Sequence, residues 1–474
     1  MPFYQPPRSQ PQRFQRVLSS FMQQDGLTFA DLLTEEKIQH AFDDEGVSFA
    51  QGEDDVYTPA VTLWAFLSQV LFKEEQRSCL AAVSRVVVLW IALGKEPCSD
   101  NTGAYCRARA KLPVAVIKRL ALAVSHGCEQ QLPKNWLWKR RHVHLVDGTT
   151  VSMPDTPGNQ KDYPQPTTQA KGVGFPLARL VVLMSLATAM VQAMDLGPYA
   201  GKETGETALL RQLFDWLPSG DVVLADRYYC SYFMIALLLE RGVDVVTRLH
   251  QARKADFRRG RRVGPGDHVV TWTRPAKPAW MDQATYERMP ESIPMREVQV
   301  QVHQPGFRVE SFVVVTTLTN ASEYAKDDLA ELYHQRWLVE LDIRTIKITL
   351  GMDVLRCKTP EMVRREIWTC LLAYNLIRQT LLQAALAGDQ SPRQLSFTAA
   401  LQKIAASWAT LAVCDATMAD RLIRTNLAHL ANHLVGDRPG RVEPRAIKRR
   451  PKPQKRLNQP RAEARAELMT GMTA

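Results

Sequence analysis

Hydrophobic positions recur at helical spacing through the first quarter of the chain, at strand spacing through much of the middle, and at helical spacing again towards the end. From 27 to 130 the pattern predicts helices. Thr58-Pro59 opens a segment rich in aliphatic and aromatic residues (VTLWAFLSQVLF), and 77–94 continues in that style. Ser99 is placed to cap a shorter, polar helix in CSDNTGAYCRARAKLP. Residues 142–151 alternate and favour strand, with Asp147-Gly148 inside the run. An Asp-Gly pair is also a hairpin-turn signal, so strand and turn both fit at that point. The apolar stretch 180–194 is interrupted by Ser185, Thr188 and Gln192. It is too short and too polar to span a bilayer and reads as two strands meeting near Ser185–Thr188. A helix over 203–217, a strand over 221–225 and an apolar helix over 229–240 ending at Gly242 follow. Strands are expected at 267–273, 296–303 and 307–319, separated by proline-dense stretches. Helices are expected at 361–386, 392–414 and 416–434. The class is α/β.

Composition narrows the setting. At 474 residues the chain is long enough for two or three cores, and 45% hydrophobic residues is ordinary for a globular protein. Eight cysteines include no Cys-x2-Cys pair, which argues against zinc and for reduced thiols in a cytoplasmic setting. The first residues, MPFYQPPRSQPQRFQR, have no apolar core of a signal peptide. The net charge of +11 is uneven. Between Arg438 and Arg465 lie eleven Lys or Arg against Glu443 and Glu463, so this Pro-rich tail carries most of the excess. It is expected to be extended and solvated, with Lys448, Arg449, Arg450 and Lys452 as phosphate contacts. A second basic run, RLHQARKADFRRGRR at 248–262, adds Arg253, Lys254, Arg258 and Arg259. On the helix after Ser99, Tyr105 and Arg109 are neighbours, as are Arg107 and Lys111, and such a cationic edge suits a DNA backbone.

The chemistry concentrates in three places. In YHQRWLVELDIRTIK, at 333–347, Tyr333, Arg336, Glu340 and Lys347 fall at about 0°, 300°, 340° and 320° on an ideal α-helix, one edge about 60° wide. Asp342 falls on the opposite face. A carboxylate flanked by cations suits metal ions and phosphate, although a solvated ion-pair edge has the same pattern. Asp147 is an acid inside a strand, where a buried carboxylate is costly unless paired or metal-bound. Asp226 lies at the carboxyl end of a strand leading into a helix, where open α/β sheets put their ligands, and where a helix-capping Asp would also sit.

Together these residues resemble a known family. Asp147, then Asp226, then Glu340 within Y-x2-R-x3-E-x6-K is similar to the DDE transposases of bacterial insertion sequences that carry the Y-R-E-K motif (the insertion-sequence-four type). VDGTTVSMPDTPGNQ, LADRYYCSYF and YHQRWLVELDIRTIK carry the likeness, which runs from roughly 40 to 455. The resemblance implies an RNase H-like catalytic core with a β-rich insertion. It implies that Asp147, Asp226 and Glu340 bind two Mg²⁺ ions (Mn²⁺ as substitute), with Tyr333, Arg336 and Lys347 holding the scissile strand. Three carboxylates and hard cations suit that assignment. The implied partners are double-stranded DNA, both transposon terminal inverted repeats and target, and a second subunit in a homodimer on paired ends, in the bacterial nucleoid. An aromatic of the insertion would hold a flipped base, for which Trp272 and Phe312 are available, though either also suits a core. The expected organisation is a disordered N-terminus (1–26), a helical DNA-binding domain (27–135), the core's first part (136–249), the insertion (250–320), the core's second part (321–390), C-terminal helices (391–436) and the basic tail (437–474). Two rival readings share this fold: a non-catalytic DNA-binding descendant and a structure-specific nuclease.

Overall fold

A computed structural model describes residues 13–50, 52, 55–301, 311–436 and 457–471. The chain divides into two units: one of 1–140, 187–192 and 342–435, the other of 141–186, 193–341 and 436–474.

The first unit is helical. Its centre is the helix Pro360–Ala387, buried on all sides over most of its length, which packs on the helix Val114–Gln130. Thr58 caps the helix Pro59–Leu71 by accepting from the Val61 N–H, with Pro59 in the first turn where its missing N–H costs nothing. Trp64 and Trp408 stack with ring centroids 5.3 Å apart, and Ser20 joins them by accepting from Trp64 Nε1 and donating to the Trp408 carbonyl. The expected N-terminal and C-terminal helical regions are thus one unit. Within it, Asp342 is buried between Arg378 and Arg393, at 3.0 Å from each.

The second unit is built on a nine-stranded sheet. Its strands are β1 (Val143–Ser152), β2 (Leu177–Ser185), β3 (Val191–Pro198), β4 (Val222–Ala225), β5 (Asp244–Arg248), β6 (Arg261–Gly264), β7 (Asp267–Thr273), β8 (Ser292–Gln301) and β9 (Ser311–Thr316). Their order is β3-β2-β1-β4-β5-β9-β8-β7-β6. β4 is parallel to both β1 and β5, whereas β1 and β2 are antiparallel, as are the pairings from β5 through β9, β8 and β7 to β6. The helix Tyr232–Glu240 is almost wholly apolar and buried, as a crossover between parallel strands must be to cover a sheet. Gly242, at φ +72°, turns the chain from that helix into β5. The α/β class is as expected, and the insertion is β-rich. Its strands extend the same sheet from β5 outwards rather than forming a sheet of their own. Asp267 and Arg296, both buried, form a two-pronged ion pair at 2.6 and 2.8 Å across β7 and β8.

Several expectations need correction. Residues 13–26 are not disordered: Gln15–Ser20 is helical, and Phe14, Val17, Leu18 and Phe21 are buried at i, i+3, i+4 and i+7. Residues 1–12 lie outside the described residues. Asn101, not Ser99, caps the polar helix Thr102–Lys111, accepting from Gly103 N at 2.8 Å. The helix expected at 203–217 is shorter, Glu206–Arg211, followed by a 3₁₀ turn at Phe214–Trp216 that ends where Pro218 biases Leu217 to extended backbone. The tail is not wholly extended: Arg461–Gly471, rich in Ala, Glu and Leu, is helical directly after Pro460. Among the described residues no helix is long and apolar enough to cross a membrane.

Candidate active site

β1 runs unbroken through Asp147 and Gly148, which pair with Val182 and Val181 of β2, so no hairpin turn forms there. On its other side β1 pairs with β4 only from Val143↔Val222 to Leu145↔Leu224. Asp147 and Asp226 each lie two residues beyond that last pair. The parallel pairing thus brings Asp147, mid-strand in β1, beside Asp226, the residue that follows β4, at the carboxyl end of β4 where such sheets hold ligands. Local hydrogen bonds fix both. Asp147 accepts from the Gly148 N–H at 2.8 Å, and Asp226 accepts from Tyr228 N at 2.7 Å, capping a 3₁₀ turn over Arg227–Tyr229. Thr247 of β5 donates to the Asp226 carbonyl at 2.8 Å. The cap and the ligand readings of Asp226 are therefore compatible.

The third acid arrives from outside the sheet. Glu340 lies on the helix Leu338–Arg344 and forms an i,i+4 ion pair with Arg336. Its side chain is 58% exposed, against 17% for Arg336. The electrostatics tie these groups to the sheet. Burial raises the Asp147 carboxyl to about 6 against the lowering pull of the Gly148 N–H and Arg336, with Glu340 and Asp226 contributing to the rise. Tyr333 is pushed up to about 12 by burial, and it too feels Asp226 and Arg336. Its ring packs on Phe312 of β9 at 5.2 Å, and the Arg248 guanidinium sits 5.5 Å from the Phe312 centroid. Asp147, Asp226, Glu340, Tyr333 and Arg336 are thus gathered in one region of the sheet unit.

Lys347 is placed differently. The uniform helix expected over 333–347 is instead an α-helix to His334, a 3₁₀ turn at Gln335–Trp337, the helix Leu338–Arg344 and a π-turn at Thr345–Thr349. The Arg336–Glu340 ion pair spans the junction from the 3₁₀ turn to the α-helix. Lys347 falls in the π-turn, within the helical unit's part of the chain. Asp342, by contrast, is committed to Arg378 and Arg393.

The remaining candidates divide by exposure. Tyr105 is fully buried, its hydroxyl donating to Gln69 at 2.6 Å, and Arg109 donates to the same oxygen at 2.9 Å while lying over the Phe66 ring. Both are packing residues of the helical unit, which corrects their place on a DNA-facing edge: at this helix the Tyr105 face is the apolar one. Arg107 and Lys111 are exposed. In the insertion, Arg253 and Lys254 are exposed, with Arg253 over the Trp272 ring at 3.9 Å. Arg258 and Arg259 are also exposed and flank Asp256, whose carboxyl their hydrogen bonds and charge hold down to about 2. Trp272 is buried, and its Nε1 donates to Glu297 at 3.1 Å, so it serves the core. Lys448, Arg449, Arg450 and Lys452 lie outside the described residues.

Three residues of this region were not singled out as site residues by the sequence. Arg248 ends β5 beside Tyr333 and Phe312. Tyr229 and Glu206 lie near Asp147 and Asp226, with the Tyr229 hydroxyl donating to Glu206 at 3.1 Å. Tyr229 was visible in the sequence as part of LADRYY; nothing in the pattern around Glu206 marks it. Oxygen-rich side chains of this kind take hard divalent cations, not zinc. Among the described residues no three metal-ligating side chains are already drawn together around one point. With Arg336 holding Glu340, the internal cation stands where an external one would compete for that carboxylate.

Comparison with known proteins supplies the context. A family model described as the transposase DDE domain matches residues 138–376, just over half of the chain. The chain is 26% identical over 355 residues to transposase InsG for insertion sequence element IS4 of Escherichia coli strain K12, a match covering 73% of this chain and 76% of that protein. It is 23% identical over 179 residues to putative transposase InsZ of the same strain, covering 33% of this chain and 58% of that one. Among solved structures, piggyBac transposase in a synaptic complex with hairpin DNA aligns with 90% of this chain and 87% of its own, at a TM-score of 0.43 and 11% identity.

Proposed function

This chain belongs to the transposase DDE domain family, and from that premise we propose that it cuts DNA at transposon ends and joins the freed ends to target DNA by cut-and-paste, through a hairpin intermediate. The strand order β3-β2-β1-β4-β5 would be an RNase H-like core. The observation that carries the reading is the meeting of Asp147 on β1 and Asp226 just past β4, with Glu340 and Arg336 near enough to shift the Asp147 carboxyl.

In this proposal Asp147, Asp226 and Glu340 hold two divalent cations, Mg²⁺ or Mn²⁺. When bound, such ions supply Lewis acidity to the scissile phosphate and make a bound water a better nucleophile. The chain's own residues do the rest. Arg336 releases Glu340 and turns its fork to the phosphate oxygens, a planar two-pronged contact that Lys cannot copy. The Tyr333 phenol stays protonated throughout the physiological range and donates a hydrogen bond to the strand. Lys347 contributes a point charge to the same phosphate path. Phe312, half-buried against Tyr333, replaces Trp272 as the aromatic available to a displaced base. Water attacks phosphorus and the 3′ oxygen leaves as a hydroxyl. That hydroxyl then attacks a second phosphorus, so one P–O bond forms as another breaks. Two copies of the chain pair two DNA ends, and the exposed cations of the insertion follow the phosphate backbone together with the cations of the tail.

The test is incubation of the full chain with a labelled terminal inverted repeat, target DNA and Mg²⁺. Covalent joining of the label to target is expected. Hydrolysis without joining makes the protein a nuclease, and end binding without any cleavage makes it a non-catalytic descendant.

A further inference from the structure

Glu206 opens the helix Glu206–Arg211 and is partly buried against β1 on the side of Gly148, the face opposite the one from which Asp147 projects. Its carboxylate lies so close to Gly148 that a Cβ at 148 would meet Glu206 Cδ at 2.3 Å, Oε1 at 2.5 Å and Cγ at 2.6 Å. The space that glycine leaves is therefore filled by Glu206. The Gly148 peptide is also the one whose N–H donates to Asp147 Oδ1 at 2.8 Å. On its other side Glu206 Oε2 accepts from the Tyr229 hydroxyl at 3.1 Å. Tyr229 is buried and ends the 3₁₀ turn that Asp226 caps. A continuous line of contacts thus runs Asp147, Gly148, Glu206, Tyr229, Asp226.

We propose that Glu206 is a positioning residue: wedged on Gly148 and bonded to Tyr229, it locks Asp147 and Asp226 at one spacing and so sets the affinity of the pair for a divalent cation. The inference rests on the proposed function of those aspartates. Glu206 acts here as a hydrogen-bond acceptor of the right size, not as a charge or a ligand. Its carboxylate accepts from a neutral phenol on one side and packs on the Gly148 backbone on the other. Groups that orient ligands in this way typically account for about 10–100-fold in metal affinity.

The experiment is Mn²⁺ titration of the full-length protein without DNA, following the electron paramagnetic resonance signal of free Mn²⁺, with a melting curve for each variant. Glu206→Ala and Tyr229→Phe should each weaken binding by about tenfold or more. Because they break the same bond, the double variant should be no weaker than Glu206→Ala alone. Glu206→Gln keeps an acceptor oxygen and the volume, and should bind within a few-fold of wild type. If it binds as poorly as Glu206→Ala, the carboxylate charge is what matters and the positioning role is overturned. Should Tyr229→Phe fail to fold, Gly148→Ala replaces it, since the displaced atoms are the mobile end of a side chain. Its loss should vanish when Glu206 is already Ala, and an undiminished loss would show that Gly148 acts without Glu206. Asp147→Asn separates the two readings. If that variant binds Mn²⁺ normally, the metal assignment falls and this inference with it. If it does not bind while Glu206→Ala and Tyr229→Phe bind like wild type, only the positioning role falls.

Discussion

Replacing Asp147 with Asn should make the metal-free protein more stable at pH 8 while making it inactive. The Asp147 carboxyl is raised from its ordinary 3.8 to about 6, first by burial and then by Glu340 and Asp226. A carboxyl raised on folding contributes stability that is complete below the unfolded value and is lost as pH rises through the folded one. Above about pH 6 the folded protein therefore holds an anion that it tolerates poorly. The two-unit difference corresponds to about 3 kcal/mol, and solvent screening at this partly open site brings the usable figure to about 1–2 kcal/mol. Asn is uncharged and keeps the oxygen that accepts from Gly148 N, so little else changes. At about 2–4 °C per kcal/mol for a unit of this size, the melting temperature should rise by a few degrees at pH 8 and by almost nothing at pH 4. The assay is thermal melting of both proteins across that range, with chelator and then with Mg²⁺. Magnesium should stabilise wild type above pH 6 by mass action and leave the Asn variant unmoved. A variant that melts at or below wild type at pH 8 without metal would refute the reasoning, because Asp147 would then be a satisfied structural anion.

Further outcomes follow from other contacts. Asp342→Ala strands Arg378 and Arg393 without their buried partner, so it should cost about 3–5 kcal/mol and show as early melting of the helical unit. Trp272→Ala should cost about 3–5 kcal/mol in stability through the cavity it leaves. If the protein is kept folded at low temperature, end binding should change little, which an electrophoretic shift would show. Lys254→Ala should leave the melting temperature alone and lower the slope of log K against log salt by about 0.9, if its ammonium neutralises one phosphate.

What the sequence made legible was local chemistry; what it hid was set at a distance. The strand through Asp147 follows from alternation, and the capping of Pro59–Leu71 follows from Thr58-Pro59, because both signals lie within a few residues. Ruling out the hairpin at Asp147-Gly148 needed β2, whose ladder holds the strand straight. The choice of Glu340 over Asp342 came from helical geometry, which assumed a uniform α-helix where the chain has a 3₁₀ and a π-turn, and Asp342 lies between two arginines. Tyr105 and Arg109 read as a surface edge because their partner, Gln69, lies far off in sequence. Glu206 was invisible for the same reason: its meaning lies in Gly148 and Tyr229, on a different strand and turn.

Cleavage of a labelled terminal inverted repeat by wild type and by Asp147→Asn, Asp226→Asn and Glu340→Gln, with end binding measured on the same samples, bears most directly on the claim that these three acids form one catalytic centre. Each variant should bind the end like wild type and lose cleavage by orders of magnitude. Wild-type cutting by any one of the three would contradict that claim.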